Sequence, residues 1–291
     1  MPYSPNATRP TYFKPLQHGI HSRGGLYVSR TAIQAKEHHW FFQDVSAAKH
    51  RVLLLDYDGT VAPFSPDRRR AFPYPRIPGL LGQIMTSCGT RLIMVSGRAA
   101  SEVSRLLGLH PAPEIWGTHG LERIHADGRY EEVRVNDDAL LVLAQAEAQL
   151  ERAGLAERIE VKLAGIAIHW RGLPASEILK IRTKAYRILQ PLALQPDLVL
   201  AEFEQGVEIR LSSANKGDAL QSLLAELDPG AVVAYLGDDA TDEDAFRVLN
   251  GRGLSVRVGP KHRFSAAQVW LQSLDGLIRF LTQWIRACGG D

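Results

Sequence analysis

Apolar positions along the chain fall into two distinct rhythms. In the first, continuous hydrophobic runs stop abruptly at small or acidic residues. "RVLLLD" begins at residue 51, "RLIMVSG" spans 91–97, "EIWGTHG" 114–120, "AVVAYLGDD" 231–239 and "LSVRVG" 254–259. Runs of this length without alternation are expected of strands buried on both faces of a parallel sheet. Two of them lead into helical periodicity, "AASEVSRLLG" closed by Gly108 and "TDEDAFRVLN". Strand and helix alternating in this way predict a doubly wound, Rossmann-like parallel sheet, an α/β fold whose ligands bind beyond the carboxyl ends of the strands. Those ends are Asp56, Ser96, Thr118 and Asp238.

The second rhythm occupies residues 137–210. "DALLVLAQAEAQLERAG" and "ASEILKIRTKAYRILQPL" read as amphipathic helices, and each precedes an alternating segment. "IEVKLAGIAIHWRG" breaks at Ala164–Gly165 and "LVLAEFEQGVEIRL" at Gln205–Gly206, as hairpins do. The order helix, hairpin, helix, hairpin predicts an α+β insert with an antiparallel sheet. It separates a core made of 51–136 and 211–291 and is placed to act as a lid. Residues 1–50 stand apart. Pro2, Pro5, Pro10 and Pro15 oppose early regular structure, and a short helix is expected near Thr31–Phe42. This arm is read as a packing or subunit contact.

Composition narrows the classes. The 291 residues are 45% hydrophobic and 23% charged with a formal net charge of +2, ordinary for a globular protein and no footprint of a nucleic-acid binder. No run of ~18 apolar residues predicts a membrane span, and the N-terminus lacks the apolar stretch of a signal peptide. Cys88 and Cys288 have no metal-type spacing and are expected as free thiols. A cytoplasmic protein, monomeric or weakly self-associating, is the expectation.

The chemistry lies in short polar segments at the strand ends. In "DYDGT", Asp56 and Asp58 are two residues apart and point the same way if the strand continues. Two carboxylates that close repel by about 4 kcal/mol at an effective dielectric of about 20. Turn chemistry alone accounts for such a segment, but so does a nucleophile beside a proton shuttle. "GDDATDEDAF" adds Asp238, Asp239, Asp242, Glu243 and Asp244. Helix capping uses one or two of these acids, whereas a hard divalent cation such as Mg²⁺ would hold more of them together. No His or Cys stands among them, which disfavours zinc. "VSGR" presents Ser96 and Gly97 where a strand enters a helix, either as a plain cap or as a phosphate-oxygen site. "NKGDAL" puts Lys216 before another helix, either solvated or set against a phosphoryl group. Jointly these segments converge on phosphoryl transfer with Mg²⁺.

"DYDGT", "SGR", "NKG" and "GDD…D" resemble the four ordered motifs of haloacid dehalogenase-like phosphatases over residues 51–285. Within that superfamily "LLLDYDGTVAPF", "GTHGLE", "EVKLAGIAIHWR", "GVEIR" and "LGDDATDEDAF" are similar to trehalose-6-phosphate phosphatases. The resemblance implies a sugar-phosphate substrate and a Mg²⁺ cofactor. It makes Asp56 the nucleophile and Asp58 the group that protonates the leaving oxygen and then activates water. It implies a metal held by Asp56, the carbonyl of Asp58 and Asp238, with Asp239 and Asp242 in support. Ser96, Gly97 and Lys216 would hold the phosphoryl group, and Arg98 would orient their loop. His119 and Glu122 from "GTHGLE", and Lys162, His169, Arg171 and Glu208 from the insert, would meet the sugar. For Arg171 and Arg210 a structural ion pair is the equal alternative. One stretch departs from the pattern: "SPDRRRAFPYPRIPG" (65–79) carries Arg68, Arg69 and Arg70, read as a solvated loop or as added positive field near the phosphate. Other readings are a phosphatase for a different sugar phosphate, a phospho-receiver module, and a carbohydrate-binding protein.

Overall fold

The computed structural model describes residues 39–289, apart from 133–135, 163–164 and 204. The chain opens with α1 (His39–Ala47), then β1 (Arg51–Leu55), α2 (Ile77–Ser87), β2 (Arg91–Val95), α3 (Ala100–Leu107), β3 (Glu114–Gly117), β4 (Glu122–Ile124) and β5 (Tyr130–Glu132). A second set follows: α4 (Asp137–Arg152), β6 (Ile159–Lys162), β7 (Gly165–His169), α5 (Ala175–Leu192), β8 (Leu198–Phe203) and β9 (Gly206–Leu211). The chain then returns through α6 (Lys216–Glu226), β10 (Val232–Gly237), α7 (Glu243–Leu249), β11 (Leu254–Val258), β12 (Val269–Leu271) and α8 (Leu274–Ala287).

These strands make two sheets. The larger has the order β12-β11-β10-β1-β2-β3-β4-β5, parallel from β12 to β3 and antiparallel at β4 and β5. Its continuous apolar runs divide by period two between two faces. Leu53, Leu55, Met94, Leu236 and Val256 pack toward α1, α2, α3 and α8. Val52, Leu54, Ile93, Val95 and Tyr235 pack toward α6 and α7, against Leu220, Leu223, Phe246 and Leu249. The mixed α/β, mostly parallel architecture is as the sequence predicts. The chain runs from β1 outward to β3 on one side and returns to β10 on the other. The order in which strands are added therefore reverses at the parallel β1/β10 pair, where a crevice is expected beyond the strand ends. Asp56, Ser96, Thr118 and Asp238 each stand one residue past the strands β1, β2, β3 and β10.

The second sheet, β6-β7-β9-β8, is wholly antiparallel. Ile166, Ile168, Val207 and Ile209 pack on Leu143, Ala146 and Leu150 of α4 and on Ala185 and Leu189 of α5. Alternation then puts Ala167, His169, Glu208 and Arg210 on the opposite face. The two hairpins are where the sequence predicts them, although Leu163, Ala164 and Glu204 at their turns lie outside the described residues.

Several elements differ from expectation. The N-terminal helix runs His39–Ala47, so it extends past Phe42, and the predicted stretch from Thr31 to His38 lies outside the described residues. Its Phe41 and Phe42 are buried against Trp284 and Phe280 of α8, with ring centroids 6.0 and 5.3 Å apart. The Pro-rich stretch 65–79 contains a 3-10 turn over Arg68–Arg70, and its last residues start α2 with Pro at the first turn, where a missing N–H costs nothing. Cys88 and Cys288 are free thiols, as read.

The α1/α8 layer predicts its own test. Trp284 is fully buried and donates its ring N–H to Thr90 Oγ1 at 3.0 Å. Trp284→Ala should destabilise the fold by about 3–5 kcal/mol. A fall in the urea midpoint at unchanged m-value is the expected result.

Candidate active site

Asp56 follows β1 and is 4% exposed. Its neighbour Tyr57 turns into the core, where its hydroxyl donates to Ala71 O at 2.8 Å. Asp58 returns to the same side as Asp56, and both line one cleft. Gly59 makes that reversal possible. Its φ is +82°, and a Cβ there would lie 2.0 Å from Asp238 Oδ2. The tight turn thus lets the end of β10 close on the end of β1.

Lys216 stands at the start of α6, a position where the helix dipole disfavours a cation. Two buried acids outweigh that. Its Nζ donates to Asp56 Oδ1 at 2.5 Å and to Asp242 Oδ1 at 2.7 Å. Burial works against the Lys216 charge, but Asp242 and Asp56 hold its pKa well above the ordinary lysine value. Asp242 is saturated by donors. Its Oδ1 also accepts from Tyr235 Oη at 2.7 Å, and its Oδ2 accepts from the Asp238 and Asp239 amides at 2.9 and 3.0 Å. Asp242 is fully buried and lies behind the cleft. Asp242 thus braces Lys216 and the end of β10, and it stands beside Asp56 and Asp238, where support of a metal site is expected of it. Asp239 lines the cleft and caps the following turn through Ala240 N.

Two further observations test whether a cation fits. One carboxylate oxygen from each of Asp56, Asp238 and Asp242 comes within 4.8 Å of the others. Asp238 Oδ1 is buried without a hydrogen-bond partner among the described residues. A bare buried carboxylate oxygen costs free energy unless a positive ligand meets it. Burial, then the neighbouring Asp56 and Asp242 charges, push Asp238 well above the usual carboxylate range. Asp56 and Asp238 are thus an oxygen donor pair suited to a hard divalent ion.

Asp58 has a different environment. Arg98, itself 1% exposed, donates to it through Nε at 2.5 Å and Nη2 at 2.7 Å. Burial raises the Asp58 pKa, but the two Arg98 bonds outweigh it and hold the group below its ordinary value. Asp56 moves the other way. Burial, reinforced by Asp242, raises it to about 7 despite Lys216. The nucleophile implied by the resemblance must be ionised and the acid protonated, a state that a metal beside Asp56 would favour. The protein groups alone give the reverse, because the guanidinium faces Asp58 while Asp56 faces other carboxylates.

The loops after β2 and β3 form the cleft's third side. Ser96 N donates to Trp116 O, Thr118 N to Arg98 O, and His119 N to Ser96 O, at 2.8–2.9 Å. This stitching bends Thr118 and His119 to positive φ, 47° and 57°. The His119 ring then covers Gly97, where a Cβ would meet its Cε1 at 2.6 Å. Ser96 Oγ accepts from Arg98 N at 3.2 Å, which leaves its hydroxyl proton to donate elsewhere.

The second sheet supplies the remaining wall. Glu208 accepts from Lys162 Nζ at 2.8 Å and lies 3.4 Å from His119 Nε2. Burial raises Glu208, but the Lys162 charge and the His119 contact overcome it and keep it ionised. Burial lowers His119 to about 4, so it is neutral near pH 7. His169 Nε2 lies 2.6 Å from Glu160 Oε2 and is likewise pushed down, to about 3, by burial and by Arg68. Arg171 covers the Phe64 ring at 5.1 Å and donates to Ser65 O at 2.5 Å.

The cleft therefore gathers Asp56, Asp58, Ser96, Gly97, Arg98, His119, Lys162, His169, Arg171, Glu208, Lys216, Asp238 and Asp239. Glu122 is outside it. Its Oε1 accepts from Ala100 N at 3.0 Å and Thr118 Oγ1 at 2.8 Å, so its expected sugar contact is corrected to support of the His119 turn. Arg210 is also outside, donating to Leu211 O and Ala214 O. Phe64, Arg68, Glu160, Phe203 and Thr241 line the cleft without having been chosen from sequence. The run of three arginines at 68–70 was the signal available for one of them.

The Trehalose-phosphatase family model matches residues 54–269. A probable trehalose-phosphate phosphatase of Sinorhizobium fredii is 31% identical over 77% of this chain and 84% of its own length. Trehalose-6-phosphate phosphatase of Escherichia coli is 31% identical over 71% of this chain and 76% of its own. The match to a bifunctional trehalose-6-phosphate synthase/phosphatase of Thermoproteus tenax, also 31% identical, covers 75% of this chain but only 30% of that protein. Among solved structures, the C-terminal domain of Candida albicans trehalose-6-phosphate phosphatase superposes with a TM-score of 0.73 at 19% identity, covering 87% of this chain and 96% of that one. A haloacid dehalogenase-like hydrolase from Bacteroides thetaiotaomicron gives 0.56 at 17% identity, covering 81% and 99%. These two share the fold. With its family model matched across both halves of the large sheet and the whole insert, the chain belongs to the trehalose-phosphatase family of phosphoric monoester hydrolases.

Proposed function

We propose that the protein hydrolyses trehalose 6-phosphate to trehalose and phosphate, with Mg²⁺ as cofactor and an aspartyl-phosphate intermediate on Asp56. The observation that carries this reading is the unpartnered, buried Asp238 Oδ1 in the acid group shared with Asp56. A buried carboxylate pair with one oxygen left bare, beside a fixed lysine, suits attack on an anionic phosphoryl group better than a structural ion pair does.

Each step follows from the residues present. Asp56 attacks phosphorus through one carboxylate oxygen while the bond to the sugar oxygen breaks. Asp58 gives a proton to that leaving oxygen, then takes one from the water that cleaves the acyl phosphate. Lys216 offsets negative charge at the nucleophile, and the Ser96 hydroxyl donates to a phosphoryl oxygen. Mg²⁺ held by Asp56 and Asp238 would supply the charge that keeps Asp56 ionised and balances the phosphoryl oxygens. Residues 137–210 serve as a cap over the 51–136 and 211–291 core. Lys162, Glu208, His169 and Arg171 present sugar-binding donors and acceptors on its inner face, and His119 of the core joins them.

Phosphate release from trehalose 6-phosphate should be Mg²⁺-dependent, abolished by EDTA and well above that from a panel of other sugar phosphates. Comparable rates across the panel would contradict the substrate assignment. Asp56→Asn should reduce turnover to background, and near-normal activity in the purified variant would contradict the mechanism. Asp58→Asn should lower kcat on the sugar ester by roughly 10²–10⁴, the usual contribution of general acid–base catalysis. Gly59→Ala should cost activity as severely, because its Cβ displaces Asp238.

A further inference from the structure

Arg68 belongs to the loop that departs from the family pattern, and it bridges the two sheets. Its guanidinium pairs with Glu160 of β6, and Nη1 lies 3.4 Å from His169 Nε2 of β7. The shorter His169–Glu160 separation, 2.6 Å, places the Nε2 proton toward Glu160, so His169 and Arg68 converge on one carboxylate. On the core side, Arg68 Nη2 is 3.9 Å from Glu102. Its backbone carbonyl accepts from Arg98 Nη1 at 2.9 Å, and the same nitrogen donates to Glu102 at 2.5 Å. The other two donor nitrogens of Arg98 are the ones that hold Asp58.

We propose that Arg68 is a positioning residue that couples seating of the insert to alignment of Asp58, acting through its own main chain and Arg98. The insert grips the Arg68 side chain, which fixes the carbonyl that orients the Arg98 guanidinium plane. That plane in turn sets where the Asp58 carboxylate points. The guanidinium is occupied on both sides by carboxylates, so it transmits position and does not act as a phosphate ligand. A fixed fork of this kind is sensitive to small shifts, because two parallel N–H···O bonds must stay aligned together. A misplacement of about 1 Å at a reacting group costs as much as 10²-fold in rate.

This inference rests on the functional reading above, and the test separates the two. Wild type, Arg68→Ala and Arg68→Lys are compared on trehalose 6-phosphate and on p-nitrophenyl phosphate, whose leaving group needs no proton. Arg68→Ala should lower kcat/KM on the sugar ester by about 10-fold or more through kcat, with KM changed by less than about 3-fold, and lower kcat/KM on the aryl ester, which reports only the step whose leaving group needs no proton, by less than about 3-fold. Arg68→Lys, which keeps a cation opposite Glu160, should recover most of the lost kcat. Equal losses of kcat/KM on both substrates, a rise in KM at unchanged kcat on the sugar ester, or no change at all would each overturn the proposal. A wild type inactive on trehalose 6-phosphate would count against the functional reading instead, and the same comparison is then read on whichever sugar phosphate the wild type hydrolyses.

Discussion

The site is organised around one buried ammonium group. Lys216 Nζ sits 2.5 Å from Asp56 and 2.7 Å from Asp242, with all three side chains nearly or wholly removed from water. Removing the Lys216 charge would leave two buried carboxylates uncompensated, a penalty of about 3–5 kcal/mol. The geometry depends on the fold at long range. Asp56 comes from the end of β1, Lys216 from the start of α6 and Asp242 from the turn after β10, so the triad forms only when both halves of the large sheet are assembled. Asp242 then fixes the amides of Asp238 and Asp239 and so aims the bare Asp238 oxygen.

The two acids of "DYDGT" show how position converts like residues into unlike ones. They are separated by one tyrosine that anchors in the core. Asp56 meets carboxylates and a lysine, and Asp58 meets an arginine fork. Their pKa values are displaced in opposite directions for that reason, burial raising the first and Arg98 holding down the second. The protein groups alone thus favour a proton on Asp56 and charge on Asp58, and a divalent cation between Asp56 and Asp238 would supply the charge that keeps Asp56 ionised.

Local text made much of this legible. The parallel strands were readable because residues buried on both sides give unbroken apolar runs, and the hairpins because one-sided burial gives alternation. Asp56, Ser96 and Asp238 could be placed because strand ends are marked by a change from apolar to polar. Side-chain direction within a loop carries no such mark. Glu122 reads as a site residue next to His119, yet its carboxylate is spent on the turn that presents that histidine. Arg68 reads as solvated charge or as positive field near the phosphate, yet partners about 35 to 100 positions away decide its environment. The short strands β4, β5 and β12 have three residues each, too few to show a period.

The central claim is that Asp56 carries the phosphoryl group between the two halves of the reaction. Trapping tests it most directly: acid quench of the enzyme during turnover of phosphorus-labelled trehalose 6-phosphate, followed by peptide mapping. The account predicts label on the peptide containing Asp56, lost on treatment with hydroxylamine as an acyl phosphate is. Product formation with no enzyme-bound label, or label on a different residue, would contradict it.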